Sequence, residues 1–137
     1  MNIEQILKDR LLATEGKADI PKYGGTFSAK LAEDGVVVDN LGHNEKNSLL
    51  VWAVFTETMA LLEELGGEAK RGNVRKPGAR LGDADIPLDS IEGRVAKNVY
   101  EIAEGTSVFM RITPIANILV WLGVCEHGKG VLKLVKK

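Results

Sequence analysis

The period of the apolar residues changes several times along the chain, and each change marks an element. Between residues 2 and 14, Ile3, Ile6, Leu7 and Leu11 recur at helical spacing, with Asn2 placed to cap and Gly16 to stop the helix. Lys17 to Gly25 holds Pro21 and a Gly-Gly pair and reads as a connector. From Thr26 to Leu41 the period falls to two. The runs TFSAKLAE and VVVDNL flank Asp34-Gly35, a dipeptide suited to a type I′ turn. Pairing Glu33 with Val36 would set Leu31 opposite Val38, with Phe27 and Ala29 on the same apolar side. Lys30 would then face Asp39 across the strands.

A polar loop, Gly42 to Asn47, precedes a long helix that starts near Ser48 or Trp52 and ends at Leu65, where Gly66-Gly67 stops it. Val51, Phe55, Met59, Leu62 and Leu65 share its apolar face, with Glu57 and Glu64 off it. Its start is ambiguous, because SLLVW reads equally as a short strand. Glu68 to Leu88 has no period, and a loop of that length in one domain is functional, disordered or conceals a strand. Asp89 and Glu92 stand at capping-box spacing before a helix over 89–102, buried through Ile91, Val95, Val99 and Ile102 and wet through Arg94, Lys97, Asn98 and Glu101. SVFMRI reads as a short strand. Thr113-Pro114 opens a last helix, 113–122, apolar nearly all round. VCEH and VLKLV flank Gly128-Lys129-Gly130 as a second hairpin. The fold class expected is α+β: an N-terminal helix, a β-hairpin or small antiparallel sheet, a long helix, a charged loop, two helices and a C-terminal β-hairpin. It forms one domain over 1–137, with 1–25 as helix and connector and 26–137 as core.

Composition narrows the function classes. A chain of 137 residues can bury a true core, roughly two thirds of its unfolded surface. The formal net charge is −1, so no global field draws the chain to nucleic acid or membrane, and such binding needs a local patch. A single cysteine excludes an internal disulfide and fits a reducing compartment. The N-terminus lacks the continuous apolar run of a signal peptide. The longest apolar run, Ile115 to Cys125, is broken by Asn117 and is too short to span a bilayer. A cytoplasmic protein without membrane contact is expected.

The segments DNLG, WAVF, RLGDADIPLDSIEG, VAKNVY and SVFMRITPI…W resemble a set of small bacterial proteins of unassigned function, over about residues 26 to 134. Those proteins often carry proline just before the WAVF-like segment, where Val51 stands here. The resemblance implies one compact domain and assigns no catalytic or binding residue.

Five constellations could carry chemistry. Cys125 and His127 would share a strand face, with Glu126 pointing away, and His43 is the only other histidine. Zinc wants about four ligands at paired spacings, and a catalytic thiol wants a base beside it, so the bland reading is a core cysteine and a turn histidine. GNVRKPGARLG and HGKG lack the spacing of a phosphate loop, although a backbone nest for an anion fits either. Asp83, Asp85 and Asp89 form an acidic run, and Glu68-Ala69-Lys70 has the E-x-K spacing of many nucleases. The same spacing recurs at Glu15-Gly16-Lys17, which shows how readily chance supplies it. A metal-dependent hydrolase or nuclease would use Asp83, Asp85 and Glu68.

The helix–helix–hairpin ending has winged-helix order, but IANILVWLG is too apolar to read a groove. The basic residues Lys70, Arg71, Arg75, Lys76 and Arg80, with Arg94 and Lys97, need only local charge to hold phosphates. Trp52 and Trp121 sit on helices apolar on more than one side, which fits a homo-oligomer or a protein–protein adaptor. The leading expectation is a non-enzymatic protein that binds nucleic acid or another anion through the basic loop. No cofactor and no metal site are implied.

Overall fold

The computed structural model describes residues 2–41 and 48–135. The polar loop expected over 42–47 and His43 within it lie outside the described residues. The first helix, α1 (Ile3–Leu12), begins as read: the Asn2 carboxamide oxygen accepts from the Gln5 N–H at 3.1 Å. Ile3, Leu7 and Leu11 bury its apolar stripe.

The expected connector is largely strand. β1 (Lys17–Lys22) pairs antiparallel with β2 (Gly25–Leu31), which pairs with β3 (Gly35–Val38), which pairs with β4 (Leu49–Val51). Pro21 is tolerated because β1 is the outer edge of this four-stranded sheet, where one side of the strand has no ladder to serve.

The β2–β3 register differs from the expected one by two residues. Leu31 faces Val36 and Ala29 faces Val38, and Ala32 to Asp34 make the connection. A shift of two preserves the faces, so Phe27, Ala29, Val36 and Val38 are all buried. The Lys30–Asp39 pair is not formed. Lys30 faces Val37, and the Asp39 carboxylate accepts from the Ser28 N–H at 2.8 Å. Tertiary contacts hold the wider loop: the Trp52 indole donates to the Glu33 carbonyl and the Trp52 N–H to that of Asp34. Gly35 serves β4 and not a tight turn. A Cβ there would lie 2.1 Å from the Leu50 carbonyl oxygen.

LLV joins the sheet as β4, so α2 spans Trp52–Glu64 and buries Val54, Phe55, Thr58, Met59, Leu61 and Leu62. Gly66 at φ 82° lets the chain reverse, with the Gly67 N–H closing on the Leu62 carbonyl. The chain then adds β5 (Glu68–Lys70) to the C-terminal hairpin of β6 (Cys125–Gly128) and β7 (Val131–Leu134), giving a three-stranded sheet in the order β5-β7-β6.

The aperiodic segment 71–90 is folded around a small core of its own, made of Ala79, Leu81 and Ile86 with Ala96 and Val108. Its frame is Asp83, whose carboxylate accepts from the N–H groups of Arg80 at 2.7 Å, Asp85 at 2.9 Å and Ile86 at 3.1 Å. These bonds hold its carboxyl below the usual range, the Arg80 N–H foremost.

Helix α3 (Ile91–Asn98) is capped by Ser90, not Asp89, and ends before 102; Glu101 takes φ 54° after it. Ser90 Oγ accepts from the Gly93 N–H at 3.1 Å, and Glu92, expected to reach back as a capping partner, turns inward. SVFMRI forms no strand. It leads into α4 (Ile112–Trp121), whose N-terminus is capped by that same Glu92, with both carboxylate oxygens 3.0 Å from the Arg111 nitrogen. Ile115, Ala116, Ile118 and Leu119 of α4 are fully buried, the fate expected of so apolar a helix. Together with α1, both sheets and α2 they form one core, each large side chain contributing about 2 kcal/mol of apolar burial. The protein is thus α+β, with four helices and two antiparallel sheets among the described residues. None of these helices is long and apolar enough to cross a membrane.

Candidate anion-binding cleft

The expected basic residues do not act as one group. Arg94 is committed to two carboxylates on α2. Its Nε lies 2.7 Å from Glu57 and its Nη1 2.7 Å from Glu64, and these bonds hold its guanidinium above its ordinary pKa and the Glu64 carboxyl below its own. Lys97 pairs with Glu104 at 3.2 Å. Lys76 pairs with Asp85 at 3.4 Å, and Arg80 donates to the carbonyl of its neighbour Ala79. Arg75 is exposed on the loop.

Lys70 and Arg71 stand apart from these. They leave the end of β5 beside the β6–β7 turn, where Lys129 is carried between Gly128 and Gly130. A cleft of about 510 Å³ opens there, lined by Lys70, Arg71, Asn73, Asp85, Lys129 and Val131 among others. None of Lys70, Arg71 and Lys129 forms an ion pair among the described residues.

The half-buried Arg71 is held by neutral groups. Its backbone N–H donates to the Gly130 carbonyl, its Nε to the Val131 carbonyl at 3.1 Å and its Nη2 to His127 Nδ1. Burial pulls the Arg71 pKa down, and no carboxylate among the described residues pulls it back. The hydrogen bond requires an unprotonated Nδ1. Burial, then the adjacent guanidinium, accordingly depress the His127 pKa. Gly72, at φ 92°, closes the back of the cleft, and a Cβ there would meet Glu92 Cβ at 2.9 Å and Ser90 Oγ at 3.0 Å. The Glu92 N–H donates to the Arg71 carbonyl at 3.0 Å. The cleft backbone is therefore tied directly to α3.

The sequence already offered Lys70, Arg71 and a nest at HGKG, though as separate candidates. Only the pairing of β5 with β7 across sixty residues brings Arg71 to Val131 and His127.

The thiol and metal readings fare differently. Cys125 and His127 do lie on one side of β6, but Cys125 is buried in the core, its thiol pushed up to about 12 by burial, and the His127 Nδ1 is taken by Arg71. That leaves the thiol protonated and without a base. Asp83 is occupied by its loop, Asp85 by Lys76, and Glu68 by Lys133 at 3.6 Å. Among the described residues no three His, Cys, Asp or Glu side chains group as a metal site.

The tryptophan-bearing helices are largely satisfied internally. The Lys8 ammonium lies 5.0 Å from the centre of the Trp52 ring, and the Arg10 guanidinium 4.5 Å from that of Trp121, so α1 covers both. Asn117 turns back to its own helix, donating to the Thr113 carbonyl at 2.8 Å.

The chain matches no family model, no curated protein and no solved structure.

Proposed function

We propose that this protein is a non-enzymatic binding protein for phosphate-bearing anions, nucleic acid backbones among them, and that the cleft between β5 and the β6–β7 turn receives them. The observation that carries the reading is Arg71: a half-buried cation held in position by neutral acceptors, with Lys70 and Lys129 beside it and no carboxylate partner among the described residues. Keeping a cation partly desolvated and unpaired costs free energy, and an incoming anion offsets that cost. Two fixed contacts set the guanidinium in the cleft before a ligand arrives, which lowers the ordering cost of binding. Arg75, Lys76 and Arg80, exposed on the loop that follows β5, would supply steering, not fixed contacts. The guanidinium and ammonium contacts invoked need only the charge of a phosphate and not base identity.

The test is anisotropy of a tetramethylrhodamine-labelled single-stranded oligonucleotide against salt concentration. Binding is expected on the order of 10–100 µM near physiological salt, with log affinity falling against log salt at a slope between about −2 and −4. The combined variant Lys70→Ala, Arg71→Gln, Lys129→Ala should abolish it. Lys97→Ala, which removes a cation already paired with Glu104, should not weaken it. Absence of binding at low salt, or equal loss with Lys97→Ala, would overturn the reading.

A further inference from the structure

The contact between Arg71 and His127 has a chemical consequence that depends on the state of the imidazole. With Nδ1 unprotonated, the ring accepts a hydrogen bond from Arg71 Nη2 and fixes the guanidinium. Protonation removes that lone pair. It turns an acceptor into a second cation at contact distance and breaks the bond, so in the empty cleft the two groups repel. With an anion in place the sign reverses. Both cations can bond the same anion, and Arg71 is freed to turn its Nη2 toward it.

Resting on the cleft being an anion site, we infer that His127 becomes an additional anion ligand when protonated, so that acid tightens binding there. The geometry supports a local effect. His127 sits on β6 opposite Leu132 of β7, which is uncharged, and Arg71 is the charged group in contact with it. Lys70, Lys129 and the Lys76-paired Asp85 line the cleft beyond Arg71, while Glu126 and Lys133 project from the other side of the sheet. Cys125, two residues back on the His127 side, faces the core as a neutral thiol. Glu92 is the other nearby group that titrates close to neutrality, and it touches the cleft through the backbone of Arg71 and the Cα side of Gly72. The direction follows by linkage. Burial and Arg71 hold the free His127 below its ordinary pKa, and an anion bound to both raises it, so affinity must climb as pH falls through that range.

The experiment uses the same rhodamine-labelled oligonucleotide, as a thymidine homopolymer, whose phosphodiesters and bases do not titrate between pH 5 and 8. Wild-type affinity at fixed ionic strength is expected to rise about tenfold from pH 7.5 to 5, the worth of one added charge contact at a partly exposed site. His127→Gln, which removes the titrating ring, should lose the rise, its affinity at pH 5 matching its own at pH 7.5. A proton NMR titration of the His127 ring should show its pKa increasing on addition of sulfate. Binding that is equal at both pH values, or a rise that persists in His127→Gln, would overturn this inference while leaving the cleft's anion binding intact. No binding at either pH would overturn the binding reading itself.

Discussion

Glu92 gives the sharpest quantitative prediction. Its carboxyl is 1% exposed, accepts from the Arg111 N–H at the start of α4, and is pushed up to about 7 from an ordinary 4.5. Burial is the dominant cause, and the backbone N–H groups of Arg111 and Ile112, with the Arg111 charge, counter only part of it. The folded state therefore holds a proton that the unfolded chain releases above about pH 4.5. The associated stabilisation is complete below that value and is lost as pH rises through about 7. A displacement from 4.5 to 7, at about 1.4 kcal/mol per pH unit, is worth about 3 kcal/mol. Glu92→Gln removes the titration and keeps the shape. Both oxygens lie 3.0 Å from the same Arg111 nitrogen, so an amide oxygen alone preserves the bond. Urea unfolding of both proteins from pH 4.5 to 8 measures the effect. The curves should nearly meet at pH 4.5, with the variant gaining relative to wild type by about 3 kcal/mol at pH 8. Carboxylates held low, such as Asp83, act in the opposite direction, losing their contribution as pH falls, but they cancel in the comparison. Parallel curves across the whole range would refute the reasoning.

Two further outcomes test the packing. Gly93→Ala would put a methyl 2.0 Å from the Pro87 carbonyl oxygen, which is backbone and cannot swing aside, so stability in urea should fall by about 3 kcal/mol; a loss below about 1 kcal/mol would show that α3 shifts freely on its loop. Cys125, buried and with its thiol pushed up to about 12, should resist an aromatic disulfide reagent at pH 8 in the native protein and react fully in urea; rapid native labelling would contradict the buried placement.

How much was legible beforehand varies with the range of the interactions. Asn2 as a cap, Gly66 as a stop and the hairpin over Gly128 to Gly130 are settled by residues within a few positions, and sequence reading found them. The Asp34-Gly35 turn misled, because it looked sufficient for a two-residue hairpin. The Trp52 indole holds a wider loop and β4 needs Gly35 for itself, two demands invisible from the hairpin alone. Glu92 misled for a similar reason. Its spacing from Asp89 fits a capping box, yet its carboxylate serves a helix some twenty residues later. The basic cluster is divided by the fold. Lys70 and Arg71 reach the cleft, whereas Arg94 and Lys97 have carboxylate partners 30 and 7 residues away, and no local pattern signals those pairs.

The sequence by itself determined the α+β class, the helix positions to within a few residues, the β2–β3 and β6–β7 hairpins though not β1, and the burial of the last helix. These follow from period, caps and turn chemistry, which act over one or two turns of chain. The tertiary structure decided which charges remain unpaired. Partners are chosen by sheet order and helix packing, and a charge is available to a ligand only when the fold has given it no carboxylate. Among the described residues Arg71, Lys70 and Lys129 are in that position, and Arg71 meets Val131 because β5 joins β7, a pairing that closes a loop of about sixty residues and that neither strand announces.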